Sequence, residues 1–275
     1  CMNYKLKIHF FLKNFFLRID KFGLLPNFIK KLSLILSDVS NNYSFDRRLN
    51  GENSLIKVLK KSQIDMKVVF DIGANKGYWS KYFFNFFPQT SFYLFEITPN
   101  KLRILKKNKF KNFQINDFGL SNSNKSDYFF SYPSLDGEDS FFNTRPEVKF
   151  KKIKCKFMKG DQFCIKNKIK EIDFAKFDIE GMEYEALLGF EKMIQKQKIR
   201  LIQFEYTIAN SISKYMLKDI YNFFSKNYYV VGKLTNKGVI FIENFKNEMN
   251  NFNSGPNFVA CLKSDKELII NLSNF

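Results

Sequence analysis

Five short apolar runs, separated by segments long enough to hold helices and loops, set the strongest constraint on what this chain can fold into. They are VVFD (68–71), FYLFE (92–96), FQIN (113–116), FAKFD (174–178) and LIQFE (201–205). β-Branched or aromatic runs alternating with helix-length segments are the pattern of a parallel sheet with crossover helices, so the expected class is α/β. In an open sheet of this kind the ligand crevice lies beyond the carboxyl ends of the strands. Four of the five runs end there in Asp or Glu, so carboxylates are the first candidates for the chemistry.

Two regions interrupt the alternation. Between Ser126 and Phe157 the runs DYFFSY and VKFKKIKCKF flank a loop containing Gly, Ser and Pro, the pattern of an inserted strand pair. After Glu205 a helix is expected over Lys214–Ser225, followed by YYVV, GVIFI and NFVACLK, three strand-like runs suited to an antiparallel edge. At the other end, residues 4–36 mix Phe, Leu and Ile with Lys and Arg at loosely helical spacing, broken by Gly23 and Pro26. Two short amphipathic helices follow from this pattern. The polar run NNYSFDRRLNGEN (41–53) reads as a connection, dividing a basic helical extension (1–53) from a main domain (54–275). The helices suit an anionic bilayer surface, although packing as a cap on the main domain is the commoner outcome for such elements.

Composition sharpens a few exclusions. Lys and Arg number 45 against 27 Asp and Glu, a net charge of +18 that points to an anionic partner or surface. Heavy use of Phe, Lys, Asn and Ile is also what AT-rich coding imposes, so the charge alone decides little. The cysteines at 1, 155, 164 and 261 form no C-x-x-C pair or zinc spacing, and the chain reads as reduced and cytoplasmic, at most peripheral at the inner membrane face. No run approaches the roughly 18 apolar residues of a membrane span.

The most informative segment is VVFDIGANKGYWS (68–80): a strand, then Asp71, Gly73, Asn75 and Gly77, then a helix from about Tyr78. Glycines let the backbone turn sharply and approach a ligand, and the helix presents free N–H groups. The spacing lacks G-x-G-x-x-G and G-K-[ST], which disfavours pyrophosphate and nucleoside triphosphates. Instead, the D-x-G-x-N-x-G turn resembles the first motif of class I S-adenosylmethionine methyltransferases. Glu96, 23 residues past Gly73, stands where a carboxylate accepts hydrogen bonds from both ribose hydroxyls, and Asp117 where one meets the adenine edge. In FAKFDIEGMEYEALLGFE (174–191), Asp178, Glu180 and Glu183 crowd around Gly181, and carboxylates so close raise one another's pKa unless a cation compensates. With Asp71, Glu96 and D-I-E-G-x-E in this order, the chain resembles an FkbM-type S-adenosylmethionine-dependent methyltransferase from about Val68 to Glu205.

The resemblance implies a mostly parallel, Rossmann-like class I methyltransferase sheet with helices on both faces. It implies S-adenosylmethionine held by Asp71, Gly73, Asn75, Gly77, Glu96 and Asp117, and O-methylation of a sugar or other small-molecule hydroxyl. YLFEITP resembles the family's F-E-P segment with Ile97 and Thr98 intervening, and GEDSFF (137–142) resembles its G-x-x-S loop, which sets Ser140 above the methyl donor. The lone histidine, His9, lies outside the expected crevice. Proton removal therefore falls to Asp178, with Glu180 and Glu205, acting directly or through a hard divalent cation such as Mg²⁺ held by Asp178 and Glu205. Expected substrate contacts are Ser140, Arg145, Glu183 and Tyr206, with Lys176 as an anion contact and Tyr132 and Phe142 as a sugar wall. Two rivals remain: an RNA methyltransferase, which the net charge favours but the scattered basic residues do not, and a non-catalytic scaffold. Nucleic acid is not the expected partner, and no feature specifies an oligomer.

Overall fold

The computed structural model describes residues 4–21, 27–107, 111–134, 139–143, 146–252 and 255–275. The basic N-terminal segment forms α1 (Tyr4–Lys21) and α2 (Asn27–Ser40); Gly23 and Pro26 lie outside the described residues. From α3 (Glu52–Lys61) the alternation begins: β1 (Val68–Ile72), α4 (Tyr78–Phe86), β2 (Ser91–Phe95), α5 (Pro99–Lys107) and β3 (Phe113–Asn116). An insertion holds β4 (Gly119–Leu120), β5 (Lys125–Ser131) and β6 (Lys151–Met158). Then come α6 (Gly160–Lys166), β7 (Ile172–Phe177), α7 (Glu183–Gly189), α8 (Glu191–Gln195) and β8 (Ile199–Glu205). The chain continues through α9 (Ala209–Ser213), α10 (Leu217–Lys226), β9 (Tyr229–Thr235), β10 (Gly238–Phe241), β11 (Asn257–Leu262) and α11 (Lys266–Ser273).

All five runs read from the sequence become neighbouring strands, in the order β10-β9-β11-β8-β7-β1-β2-β3. Strands β3, β2, β1, β7 and β8 are mutually parallel. The antiparallel edge forms as expected, with β11 inserted between β8 and β9. This is the mostly parallel, Rossmann-like α/β sheet that the resemblance implies.

Because side chains alternate across a strand, β1 and β7 feed two cores. Phe70, Phe95 and Phe177 pack with Phe163 of α6, Leu187 of α7 and Phe224 of α10. On the other face Val69, Phe92 and Phe174 pack with Leu55 of α3, Phe83 of α4 and Leu268 of α11. Helices on both faces thus account for strands with apolar residues on both sides. The β1–β7 register is fixed at its start by the Asp173 carboxylate, whose Oδ2 accepts the N–H groups of Lys67 and Val68, both at 2.8 Å.

The insertion is a second sheet, β4-β6-β5, in which β5 and β6 are the two runs seen in the sequence. The two-residue β4 gave no sequence signal. The helix expected over 214–225 is α10, beginning at Leu217, while α9 and α11 were not anticipated. The packed-cap expectation for the N-terminal helices is not met: no described side chain before Asn50 is buried. Most of their described large apolar residues are exposed, Phe11 by 69% and Val39 by 74%. No described helix is long and apolar enough to cross a membrane.

Phe70 is fully buried, with edge-to-face contacts to Phe163 and Phe190 at 5.8 and 5.9 Å. Phe70→Ala is expected to lower stability by about 3–5 kcal/mol, the range for removing a buried Phe ring, read as a shifted urea midpoint.

Candidate active site

Beyond the carboxyl ends of β1, β2, β7 and β8 lies a cleft of about 660 Å³, within the range of small-molecule sites. Its first wall is the turn after β1, where Gly73, Asn75 and Gly77 all take positive φ, at 89°, 51° and 78°. Gly73 is needed because a Cβ there would collide with the backbone carbonyl oxygen of Asp178. The glycine therefore serves the close approach of two strand ends, and it lines the cleft as well.

Glu96 organises this turn. Its Oε2 accepts the N–H of Asn75 at 2.8 Å, and its Oε1 accepts those of Ile97 and Thr98 at 2.8 and 2.7 Å. Three of the roughly four lone-pair positions of a carboxylate are thus filled, which leaves room for one ligand hydroxyl rather than two.

Asp71 lies beneath the turn, buried, accepting the Ser80 hydroxyl at 2.5 Å, with Oδ1 unpartnered. Burial pushes its carboxyl up to about 6, against the opposing pull of Lys176 and Ser80. Neither Asp71 nor Gly77, which starts α4, is among the cleft residues. Asp117 is exposed beside Lys106 at 3.7 Å, so it does not reach the crevice. Leu120, Phe141 and Phe157 give that end of the cleft an apolar wall instead.

The opposite wall comes from β7 and β8. Lys176 is buried with its ammonium 2.6 Å from Asp178 Oδ2 and 3.6 Å from Glu52 Oε1. Burial opposes its charge, but Asp178, Glu52 and Asp71 outweigh that and raise its pKa. After Asp178 the chain turns through Glu180 and Gly181, both at positive φ. This turn is held by Glu183, whose Oε1 accepts the N–H groups of Ile179 (2.9 Å) and Gly181 (3.3 Å), while Oε2 accepts from Asn210 (3.4 Å). Glu183 is fully buried, and desolvation pushes its carboxyl up to about 7. It shapes the turn and does not line the cleft.

Glu205, at the end of β8, takes its place in the acidic cluster: one oxygen each from Asp178, Glu180 and Glu205 lie within 4.8 Å of one another. Glu205 is 8% exposed, and its carboxylate has no hydrogen bond among the described residues. Burial, then Asp178, Glu180 and Glu183, raise its pKa well above the usual carboxylate value.

Ser140 does line the cleft, and its hydroxyl donates to the Glu180 carbonyl at 3.0 Å. Next to it, Asp139 accepts from Thr98 Oγ1 (2.9 Å), Tyr132 N (2.9 Å) and Lys101 Nζ (2.7 Å), which clasps the insertion to the start of α5. Tyr206 is in the core, donating to the Asn250 carbonyl at 3.2 Å. Tyr132 and Phe142 are likewise absent from the cleft, where Phe141 stands. Arg145 lies outside the described residues.

The sequence reading missed one wall altogether. Tyr43, Phe45, Arg47, Asn50 and Glu52 line the cleft from the segment taken for a connection. Glu52 Oε1 accepts Gln203 Nε2 at 2.7 Å, which ties this segment to β8. Two aromatics, Tyr43 and Phe45, followed by Arg47 and Arg48 in a largely polar run were the available signal. In all, Glu52, Glu96, Asp139, Asp178, Glu180 and Glu205 face the cleft against Arg47, Lys101 and Lys176, so its lining is acidic although the chain is basic.

Residues 71–231, more than half of the chain, match the methyltransferase FkbM domain model. The protein belongs to that family of methyltransferases. Among solved structures it is similar to a SAM dependent methyltransferase from Aquifex aeolicus, with 11% identity over 81% of this chain and 94% of that one and a TM-score of 0.40. It is also similar to a rRNA methylase from Streptococcus thermophilus (12% identity, 75% and 93% covered, TM-score 0.38). A third is precorrin-6y C5,15-methyltransferase from Geobacter metallireducens GS-15 (14%, 75% and 85%, 0.36). No curated protein sequence matches the chain. The assignment rests on the family match together with the sheet order.

Glu183 holds its proton up to about pH 7 in the folded chain and only to its ordinary value of 4.5 once exposed. Between these values the folded state binds more protons, so stability falls as pH rises through the window. Glu183→Gln keeps a carbonyl oxygen for both backbone bonds. Its urea midpoint is expected to decline less than the wild type's between pH 4.5 and 7; identical slopes would assign the titration to another group.

Proposed function

We propose that this methyltransferase uses S-adenosylmethionine to methylate a hydroxyl of a sugar, a glycoconjugate precursor or another small molecule. One observation carries the reading: the Gly73–Asn75 turn, braced by Glu96, lines the same cleft as the carboxylates of Asp178, Glu180 and Glu205. The cleft suits an adenosyl donor in three respects: its volume, the lone-pair position left on Glu96, and the apolar wall of Leu120, Phe141 and Phe157 for a purine.

S-Adenosylmethionine, when bound, supplies a methyl group already activated by its sulfonium. The chain's part is then orientation and proton removal. Holding an acceptor oxygen in line can supply about 7–11 kcal/mol of the barrier, and Ser140 fixes the relevant walls together by joining the insertion to the turn after β7. The acceptor proton passes to a carboxylate oxygen of Asp178 or Glu205. Lys176 orients Asp178 through Oδ2. Glu205, desolvated and free of hydrogen bonds among the described residues, has a proton affinity raised above that of an ordinary carboxylate, by burial first and then by Asp178, Glu180 and Glu183.

The 4.8 Å cluster supports a second reading, in which Asp178, Glu180 and Glu205 hold a hard divalent cation through oxygen ligands. The ammonium of Lys176, already the counter-ion of Asp178, weighs against it. An RNA acceptor is disfavoured by the six carboxylates of the lining, which repel phosphodiesters. Burial of the unpaired Cys155, Cys164 and Cys261 supports a reducing, cytoplasmic setting.

Titration calorimetry with S-adenosylhomocysteine, repeated with Mg²⁺ and with EDTA, tests the reading. Binding independent of EDTA is expected, with Asp178→Asn binding normally but methylating on the order of 10²- to 10⁴-fold more slowly. Failure to bind S-adenosylhomocysteine under any condition overturns it.

A further inference from the structure

Among the described residues three cations line the cleft, and two of them are paired with carboxylates of the protein. Lys101 pairs with Asp139 at 2.7 Å and Lys176 with Asp178 at 2.6 Å. The half-buried Arg47 has no side-chain hydrogen bond or ion pair among the described residues, and its Nη1 is fully buried without a partner. The acid next to it in sequence, Asp46, is taken by Arg48, whose Nε lies 3.0 Å from Asp46 Oδ1. A guanidinium is always charged, and a buried donor left unmade costs about 1–3 kcal/mol, more when charged.

Resting on the reading of the cleft as an adenosyl-donor site, we infer that Arg47 is its oxyanion-binding group, receiving a carboxylate or phosphate of a bound molecule. The planar guanidinium fork matches either group in bidentate fashion. The surplus of carboxylates around it favours one small oxyanion over a polyanion. Two sources have this chemistry: the amino-acid end of the donor, or an acidic acceptor.

The test compares wild type, Arg47→Ala and Arg47→Lys for binding of S-adenosylhomocysteine, which carries the α-carboxylate, and of 5′-methylthioadenosine, which lacks it. Inorganic phosphate is then titrated onto each protein, with and without S-adenosylhomocysteine. A loss of tenfold or more for S-adenosylhomocysteine in Arg47→Ala, with 5′-methylthioadenosine unchanged and partial recovery in Arg47→Lys, places the donor carboxylate on Arg47. Unchanged nucleoside binding with loss of phosphate binding places an acceptor anion there. No change in any titration overturns the inference, as does an equal loss of both nucleosides, which marks a structural role. Wild type that binds neither nucleoside overturns the donor reading instead, and the phosphate titration then still decides for or against Arg47.

An independent observation concerns α1 and α2. Ile8, Phe11, Leu12, Phe15 and Phe16 recur on one face of α1, and Ile29, Leu32, Ile35, Leu36 and Val39 on one face of α2, all exposed. Residues 4–40 carry seven Lys and Arg against two Asp. This charge disfavours a second copy of the chain and complements an anionic bilayer, so the geometry points to in-plane docking of both helices on an anionic lipid surface. Co-sedimentation with phosphatidylglycerol-containing vesicles, absent with pure phosphatidylcholine and lost in Phe15→Asp/Phe16→Asp, is the expected result. Absence of sedimentation with either vesicle, or a stable dimer by light scattering that the same variant dissociates, overturns it.

Discussion

The tip of β1 meets the tip of β7 with only a hydrogen atom's space between Gly73 and the carbonyl of Asp178. Asp178 N donates back to the Ile72 carbonyl at 2.9 Å, so the two ends are locked backbone to backbone. From this contact the rest of the site is set out. It aims the turn of residues 73–77 and fixes where the Asp178 carboxylate emerges. It also brings Lys176 under a ring of Asp178, Glu52 and Asp71. A buried network of this kind is stable only when each charge is compensated, and losing one member of a buried pair costs about 3–5 kcal/mol. Lys176 is the centre of that compensation, which explains why a lysine stands buried in β7 between Ala175 and Phe177.

Two contacts fasten the insertion beside the cleft. Asp139 joins it to α5 through Lys101 and Thr98, and Ser140 joins it to the turn after β7. The small sheet is thereby a wall of the cleft and not an appendage.

The parallel strands were legible because both their faces are buried, which makes each a short continuous apolar run. Their spatial order was not, since pairing across β11 and β8 is decided by contacts distant in sequence. The site was legible as residue types and only partly as residues. Glu205 at the end of β8, and Glu96 and Asp178 one residue past β2 and β7, reach the cleft, but Asp117 and Tyr206, each also one residue past a strand end, turn elsewhere, to solvent and into the core. Asp71 and Glu183 carry the right chemistry on the wrong side of the backbone, where one sits under its turn and the other braces it from behind. The segment 41–53 looked like a linker because cleft walls, like linkers, are polar.

Glu205 owes its position to β8, and one flank of β8 is covered only by β11, which reaches it from more than fifty residues downstream. During vectorial synthesis β8 and its carboxylate therefore leave the ribosome well before the strand that completes their side of the sheet. Until residues 257–262 arrive, that flank offers unsatisfied backbone donors and acceptors to any passing strand, so assembly of the acidic pocket waits on the chain's final β-segment.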